Sequence, residues 1–438
     1  MKRKIALLII ISMLTVVLGG CKVTSMGTLA VNLPVEDVTA ESVDFVAAAS
    51  VLSAASSKPV TVDLLEKIGQ EKTAQLLDLV DNGAYSEKSW LEVTGYSLIA
   101  NYDIANGTVL PENVRDYGYN GKDYFDVSFV GDVNYDPDCA PMVRVNELGG
   151  VENCFDTEVL DALRGSDITL MNNEFSITER GSALEGKTWT FRAHPDTVQI
   201  HKELGADIVS LANNHVYDYG ETGFQDTLAH LEAAGMPYVG AGRNLDEAKQ
   251  AQYFIVNGIK VGIIAASRAE KVYFTPVATD DSAGIMGTYE SAEFLDAIKE
   301  SDAQCDILIA YVHWGTERST KLESAQKEMA REYIDAGADA VIGAHTHCLQ
   351  GMEFYNGKPV VYSMSNFWFS NYLSETGILT LRIDNAFNVQ TNFMPLIQQN
   401  GEVRCCKTQE ERRALFDKVA GYEPQGVSIL DDGTVLPS

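Results

Sequence analysis

Five apolar runs in this chain are each opened by an aspartate, at Asp126, Asp167, Asp207, Asp306 and Asp339. Their shortness and β-branched content are those of strands buried on both faces, the kind that parallel sheets contain. Runs at 261–266 and 359–364 have the same character. Between them, 222–234 and 324–336 carry helical spacing, and Gly205-Ala-Asp207 and Gly337-Ala-Asp339 repeat one turn from helix stop to strand start. Glycine there takes the left-handed position that ends a helix. Strand and helix alternate from about residue 123 to 395, which restricts the fold to α/β layers around a largely parallel core sheet.

The runs also end alike. Val127-Ser-Phe-Val-Gly closes on Asp132, and Ile168-Thr-Leu-Met-Asn-Asn closes on Glu174. The other three close on Asn213-Asn214-His215, on His313, and on His345-Thr-His347. Taken singly these are ordinary: Gly-Asp is a common turn, an acid at a helix start is often a cap, and a lone strand-end histidine is usually structural. Together they place four of the seven histidines and two acids at the C-terminal strand ends, where open α/β sheets gather their ligands. Such a set has the composition of a transition-metal site. An Asn carbonyl oxygen such as that of Asn214 can ligate a metal, and His215 beside it can donate a proton. On an extended segment, the spacing of His345 and His347 puts both imidazoles on one side of the chain.

Composition sets the surroundings. Met1-Lys-Arg-Lys4 and the apolar stretch 5–18 have the form of an export signal too short to span a bilayer comfortably. Leu18-Gly-Gly-Cys21 resembles the bacterial lipobox, in which the cysteine becomes the lipidated first residue. The expectation is an extracytoplasmic protein, lipid-anchored to the bacterial cell membrane through Cys21. Residues 22–38 read as a tether, 39–120 as a helical accessory region, 121–400 as the main domain and 401–438 as a C-terminal tail without a site. The formal net charge of -29 excludes nucleic acid as a partner, and an anionic substrate would need cations held at the site. Six cysteines remain besides Cys21. Cys139 and Cys154 bracket a loop suited to a disulfide. Cys305 and Cys348 have the settings of buried thiols.

Asn213-Asn-His-Val-Tyr-Asp-Tyr-Gly220, Tyr238-Val-Gly-Ala-Gly242, His313-Trp-Gly-Thr-Glu317, Gly343-Ala-His-Thr-His347 and Tyr362-Ser-Met-Ser-Asn-Phe367 resemble the CapA capsule-biosynthesis family. That family is linked to poly-γ-glutamate synthesis and to the calcineurin-like metallophosphoesterase superfamily. The resemblance covers roughly residues 123–395. It implies a four-layer α/β/β/α metallophosphoesterase-like sandwich, here with an N-terminal helical extension. It also implies two divalent metal ions, with Mn, Zn, Fe and Mg not distinguished. Carried over, Asp132, Glu174 and His347 would hold one ion, and Glu174, Asn214, His313 and His345 the other. His215 would be the proton donor, oriented by Asp218, and Arg192 a substrate-binding cation.

Two departures from the superfamily pattern stand out. Asn134 occupies the position where Asp-x-His is usual, and the Asn173-Glu174 pair replaces the usual bridging Asp. Two functions therefore compete. One is a metal-dependent hydrolase acting on an anionic cell-surface polymer or its phosphorylated precursor. The other is a non-catalytic capsule assembly factor that binds polymer or a membrane polymer synthase complex. Among the remaining histidines, His194 is placed near the pocket, while His201 and His230 read as solvated or structural.

Overall fold

The computed structural model describes residues 42–56, 58–107, 109–269 and 274–438. The expected export signal, Cys21 and the expected 22–38 tether lie outside the described residues. Residues 43–438 form one compact unit.

Two large sheets carry the fold. The first has seven strands in the order Val114–Gly118, Gln252–Val256, Ile259–Ser267, Ile307–His313, Ala340–Ala344, Lys358–Val361, Met352–Tyr355. The second runs Val427–Ile429, Thr434–Pro437, Val389–Gln399, Ser374–Asp384, Tyr124–Val133, Ile168–Asn173, Ile208–Ser210, Tyr238–Val239. Two short strands join it, Asn366–Trp368 beside Tyr124–Val133 and Glu402–Cys405 beside Val389–Gln399. The central pairings of the first sheet are parallel, and so are those from Tyr124–Val133 through Ile168–Asn173 and Ile208–Ser210 to Tyr238–Val239 in the second, whose other half is antiparallel.

Strict alternation builds the layers. Ile259, Val261, Ile263, Ile307, Ile309 and Tyr311 face Phe125, Val127 and Phe129 in a core between the sheets. Their neighbours Ile264, Leu308, Ala310 and Val312 point the other way, against Phe294 and Ile298 of the Ala292–Asp302 helix and Met329 and Tyr333 of the Ser324–Ala336 helix. Met171 and Val209 pack outward from the second sheet onto the Thr157–Arg164 and Gly220–Ala234 helices. Both faces of each strand are thus buried, which is why the runs read as continuously apolar. The architecture is the four-layer α/β/β/α sandwich, and each large side chain so buried contributes about 1.5–3 kcal/mol.

The opening aspartates have a common task. Asp167 Oδ2 accepts the N–H of Asp126, Asp207 Oδ2 that of Thr169, Asp306 Oδ2 that of Lys260 and Asp339 Oδ2 that of Leu308, all at 2.8–2.9 Å. In each case the aspartate's own N–H returns to the carbonyl of the same residue. Each strand is thereby clamped to its neighbour at its first residue. Asp126, whose neighbour is antiparallel, instead pairs with Arg382.

At the ends, the helical region also supplies a strand, and the C-terminal expectation is corrected. The 39–120 region is helical over Phe45–Ala55, Val62–Asp81, Glu87–Thr94 and Leu98–Asn106, around Leu52, Leu64, Leu76 and Trp90. It then turns into Val114–Gly118, an edge strand of the first sheet, and the buried Lys260 ammonium reaches Asp103 to hold the helices in place. Residues 401–438 are not a tail. They form Glu402–Cys405, the Gln409–Gly421 helix and a hairpin, and bury Phe416, Val419, Ile429 and Val435 in the inter-sheet core. Their Gln-, Glu- and Arg-rich sequence covers only the outer side of that helix, which masked the apolar one.

Candidate metal centre

The strand ends of both sheets meet at one place. Asp132 comes from the Tyr124–Val133 strand, Glu174 follows Ile168–Asn173, and Asn213 to His215 follow Ile208–Ser210. From the first sheet come His313, the last residue of its strand, and His345 and His347 just beyond Ala340–Ala344. Asp132 is turned inward by a register shift between Phe129 and Asp132. Gly131 allows it: a Cβ there would lie 1.7 Å from the Ser365 carbonyl oxygen.

Ligand atoms of Glu174, His313 and His345 lie within 4.8 Å of one another, and so do those of Asp132, Glu174 and His347. Asn214 Oδ1 is 2.9 Å from His313 Nε2, which is 3.0 Å from His345 Nδ1 and 3.3 Å from Glu174 Oε1. His347 Nδ1 lies 3.5 Å from Asp132 Oδ2 and 2.7 Å from Asn366 Oδ1. The sequence placed His345 and His347 on extended chain; the backbone instead takes φ of 92° and 55° there. Both imidazoles reach the site through left-handed turns, and such conformations persist where surrounding contacts over-determine them. Here Arg318 N donates to Thr346 O at 2.7 Å, and Thr346 Oγ1 donates to Ser363 Oγ at 2.8 Å.

The donors fit divalent cations. Glu174 is fully buried, yet neither of its oxygens nor Asp132 Oδ2 has a hydrogen-bond partner among the described residues. Unpartnered buried carboxylates cost several kcal/mol unless a cation meets them. Burial, then the charge of Asp132, raises the Glu174 carboxyl well above its usual range. Burial lowers His313 to about 3, and burial with the neighbouring imidazoles lowers His345 well below its usual value. Both are therefore neutral, the form in which imidazole binds a metal. Asp132 shows the opposite balance: burial would raise it, but the charge of His347, 3.5 Å from Oδ2, and the Asn172 amide on Oδ1 hold it below the usual value. At His347, burial opposes but Asp132 and Glu174 outweigh it, raising the imidazole to about 9.

Beside this cluster stands a buried pair. His215 Nδ1 donates to Asp218 Oδ2, and Lys187 Nζ lies 2.8 Å from Asp218 Oδ1. Lys187 also donates to the Asn214 carbonyl, tying the pair to a candidate ligand. An amide network sits behind: Asn172 Nδ2 donates to Asp132 Oδ1 at 2.7 Å and lies 3.1 Å from His313 Nδ1. Asn213 Nδ2 donates to Asn172 Oδ1. His215 and His347 open onto a cleft of about 580 Å³ walled by Phe191, Phe369, Trp189, Tyr372, Glu317 and Arg318.

Several sequence expectations part from this geometry. Arg192 stacks over Tyr219, 4.6 Å from its ring centre, and is not among the cleft residues. Arg318, hidden in sequence by its ordinary Glu-Arg-Ser setting, is the cation that lines the cleft. His194 is exposed and paired with Glu179 and Asp196 instead of the pocket. Of the two readings of His201, solvated or structural, the second holds: it is fully buried, Nε2 donates to Asn173 Oδ1, and burial lowers its pKa to about 3. That contact turns Asn173 away, leaving Glu174 alone at the centre. Asn134 is buried, and its Oδ1 accepts the Asp136 N–H. Cys139 and Cys154 are free thiols, so the disulfide is not formed. Cys154 points its sulfur at the Gly150 carbonyl, while Cys139 lies at the cleft, its thiol pushed up to about 12 by burial. Lys187, Asn172 and Asn366 carry no sequence signal beyond position: Asn366 lay inside a recognised motif, Lys187 in a polar loop.

Two packed sheets with His, Asn and carboxylate donors at their shared strand ends define a protein of the metallophosphoesterase-like class. The sequence profile of the bacterial capsule synthesis protein PGA_cap family matches residues 126–371, and the chain belongs to that family. It is 30% identical over 256 residues to the PGA biosynthesis protein CapA of Bacillus subtilis, covering 58% of this chain and 66% of that protein. It is 33% identical over 187 residues to the capsule biosynthesis protein CapA of Bacillus anthracis, covering 42% and 45%. With a probable polyglutamine synthesis accessory protein of Mycobacterium tuberculosis the identity is 32% over 206 residues, covering 45% and 54%. The chain thus spans from under half to just under two thirds of the length of these curated relatives.

Proposed function

We propose that this protein is an exported, lipid-anchored hydrolase of capsule poly-γ-glutamate or related envelope-polymer assembly, working with two divalent metal ions on a phosphoester-type bond. The names of its relatives support the pathway, and the lipobox-like Leu18–Cys21 stretch supports the location. The observation that carries the chemistry is Glu174: fully buried, without a hydrogen bond among the described residues, and common to both groups of ligand atoms. When bound, the ions would supply an activated water and neutralise charge on the reacting group. Asp132, Glu174 and His347 would hold one ion; Glu174, Asn214, His313 and His345 would hold the other. His215 would hold a proton at Nε2 for the leaving oxygen, because Asp218 fixes its Nδ1–H. Phe191 and Phe369 restrict water at the same place, and Lys187 keeps Asp218 charge-balanced. A membrane polymer synthase is the fitting partner for a protein held at that surface.

Metal analysis of the purified chain at saturating Mn²⁺ or Zn²⁺, with turnover of a generic phosphodiester, tests this reading. A chain that retains no metal overturns it. Asn134, which offers no imidazole at the first strand, favours a second reading: a polymer-binding assembly factor without turnover. Measured hydrolysis that disappears in His215→Ala excludes that alternative.

A further inference from the structure

Twelve large apolar side chains are exposed among the described residues, and they are not scattered evenly. Val143, Trp189 and Tyr372 line the mouth of the metal cleft, and Leu373 adjoins Tyr372. Trp189 is 70% exposed, whereas Trp90, Trp314 and Trp368 are fully buried. An exposed apolar ring around a cleft marks a binding surface, since isolated soluble chains hide such patches. Aromatic side chains at its edge offer large, stiff contact area.

One cationic side chain interrupts the ring. Arg318 lines the cleft with its guanidinium 5.5 Å from the Tyr372 ring centre. Its backbone sits at φ 58°, held by the hydrogen bond from its N–H to the Thr346 carbonyl between His345 and His347. A non-glycine residue fixed in this conformation beside a site is strain that the fold maintains. Tyr372 is tied to the centre as well, because its hydroxyl accepts from Asn366 Nδ2 at 3.4 Å and Asn366 Oδ1 lies against His347. Glu317 and Asp138 also line the cleft, so an anionic group is welcome only near Arg318 and the metal ligands.

We infer that the cleft takes a phosphorylated amphiphile, its phosphoryl oxygens between Arg318 and the metal ligands and its apolar portion on Trp189, Tyr372, Leu373 and Val143. The inference rests on the proposed phosphoester chemistry and adds the substrate class. A guanidinium suits phosphate by paired hydrogen bonds, and each methylene laid on the ring adds hydrophobic affinity. Aliphatic Val143 and Leu373 beside the aromatics favour a hydrocarbon over a sugar, which would seek more hydrogen-bonding partners than this ring offers.

The compact unit 43–438, which contains the whole core, tests it without detergent. Its metal content is measured first, and a metal-free result counts against the proposed function and not against the ring. Calorimetry then compares n-octyl phosphate below its micelle concentration with inorganic phosphate, glucose 1-phosphate and octyl glucoside. Octyl phosphate should bind roughly tenfold tighter than phosphate or more, with a blue shift of Trp189 emission. Trp189→Ala with Leu373→Ser should abolish that preference and leave phosphate affinity unchanged, while Arg318→Ala should weaken both phosphates. The inference is overturned if octyl phosphate binds no tighter than phosphate or leaves Trp189 emission unmoved. It is equally overturned if glucose 1-phosphate or octyl glucoside matches octyl phosphate. Binding of neutral phosphatidylcholine vesicles that survives Arg318→Ala and occludes the ring would make it a membrane contact, which also overturns it.

Discussion

His215 Nδ1 lies 2.8 Å from Asp218 Oδ2, and the same oxygen accepts the Phe191 N–H at 2.7 Å. The carboxylate therefore fixes one imidazole nitrogen as donor and aims the other at the cleft. Asp218→Asn offers its amide in place of a charge and loses that control. Turnover of a phosphodiester should fall by roughly 10²–10⁴-fold in His215→Ala and substantially in Asp218→Asn. Metal content, read by mass spectrometry, should stay at the native level in both, because neither residue is in the ligand groups.

Glu174 has opposite effects with and without metal. Its raised pKa means that its contribution to the stability of the metal-free fold is present at acid pH, where it is protonated, and is lost as pH rises through the raised value. In chelator at neutral pH, Glu174→Gln should melt higher than the native chain. With excess Mn²⁺ the order should reverse, since only the native chain gains stability from bound ions. Calorimetric melting in the two buffers gives the answer, and a native chain that melts higher in both contradicts it.

A separate pH effect lies far from the site. Burial raises Asp306 from the usual carboxylate range to about 6, with hydrogen bonds from Ser97 and the Lys260 N–H only partly offsetting it. Its stabilising contribution is fully present below about pH 4 and is lost as pH rises through about 6. Asn at this position keeps an oxygen for the Lys260 N–H and cannot ionise. Between pH 4 and pH 7, the melting temperature of Asp306→Asn should improve relative to the native chain by roughly 2 °C. A difference that is flat with pH would contradict the assignment.

Gly131→Ala should be severe for a reason of space alone. Its Cβ would lie 1.7 Å from the Ser365 carbonyl oxygen, and both segments are backbone. Denaturant unfolding should show a loss of about 3 kcal/mol or more. Metal affinity should fall in parallel, because Asn366, next in sequence, positions His347.

The layered fold was readable because buried parallel strands leave uninterrupted apolar runs, as at Ile307–His313, and because the chemistry sits where such runs stop. The candidate ligands followed from the same rule, each lying within the first few polar residues past a run. What escaped was set by packing between distant segments. Arg318 enters the cleft through a left-handed turn fixed by Thr346, and Lys187 reaches Asp218 from a loop with no period. The C-terminal helix hid its buried Leu415, Phe416 and Val419 among Arg and Glu. The sequence left His201 as solvated or structural because Tyr135 and Phe175, the rings that enclose it, are remote in sequence.

The aspartate clamps turn each strand into a ruler. With the start fixed, the reach of the last residue depends only on how many residues lie between, and five or six lie between each aspartate and Asp132, Glu174, Asn213, His313 or His345. Deleting two residues from Ile307–His313 would withdraw His313 by about 7 Å, and deleting one would turn it to the other face. Length in these five segments is therefore not free to drift. Changes in what the cleft accepts must enter through the loops that carry Trp189, Arg318 and Tyr372, whose lengths no clamp measures.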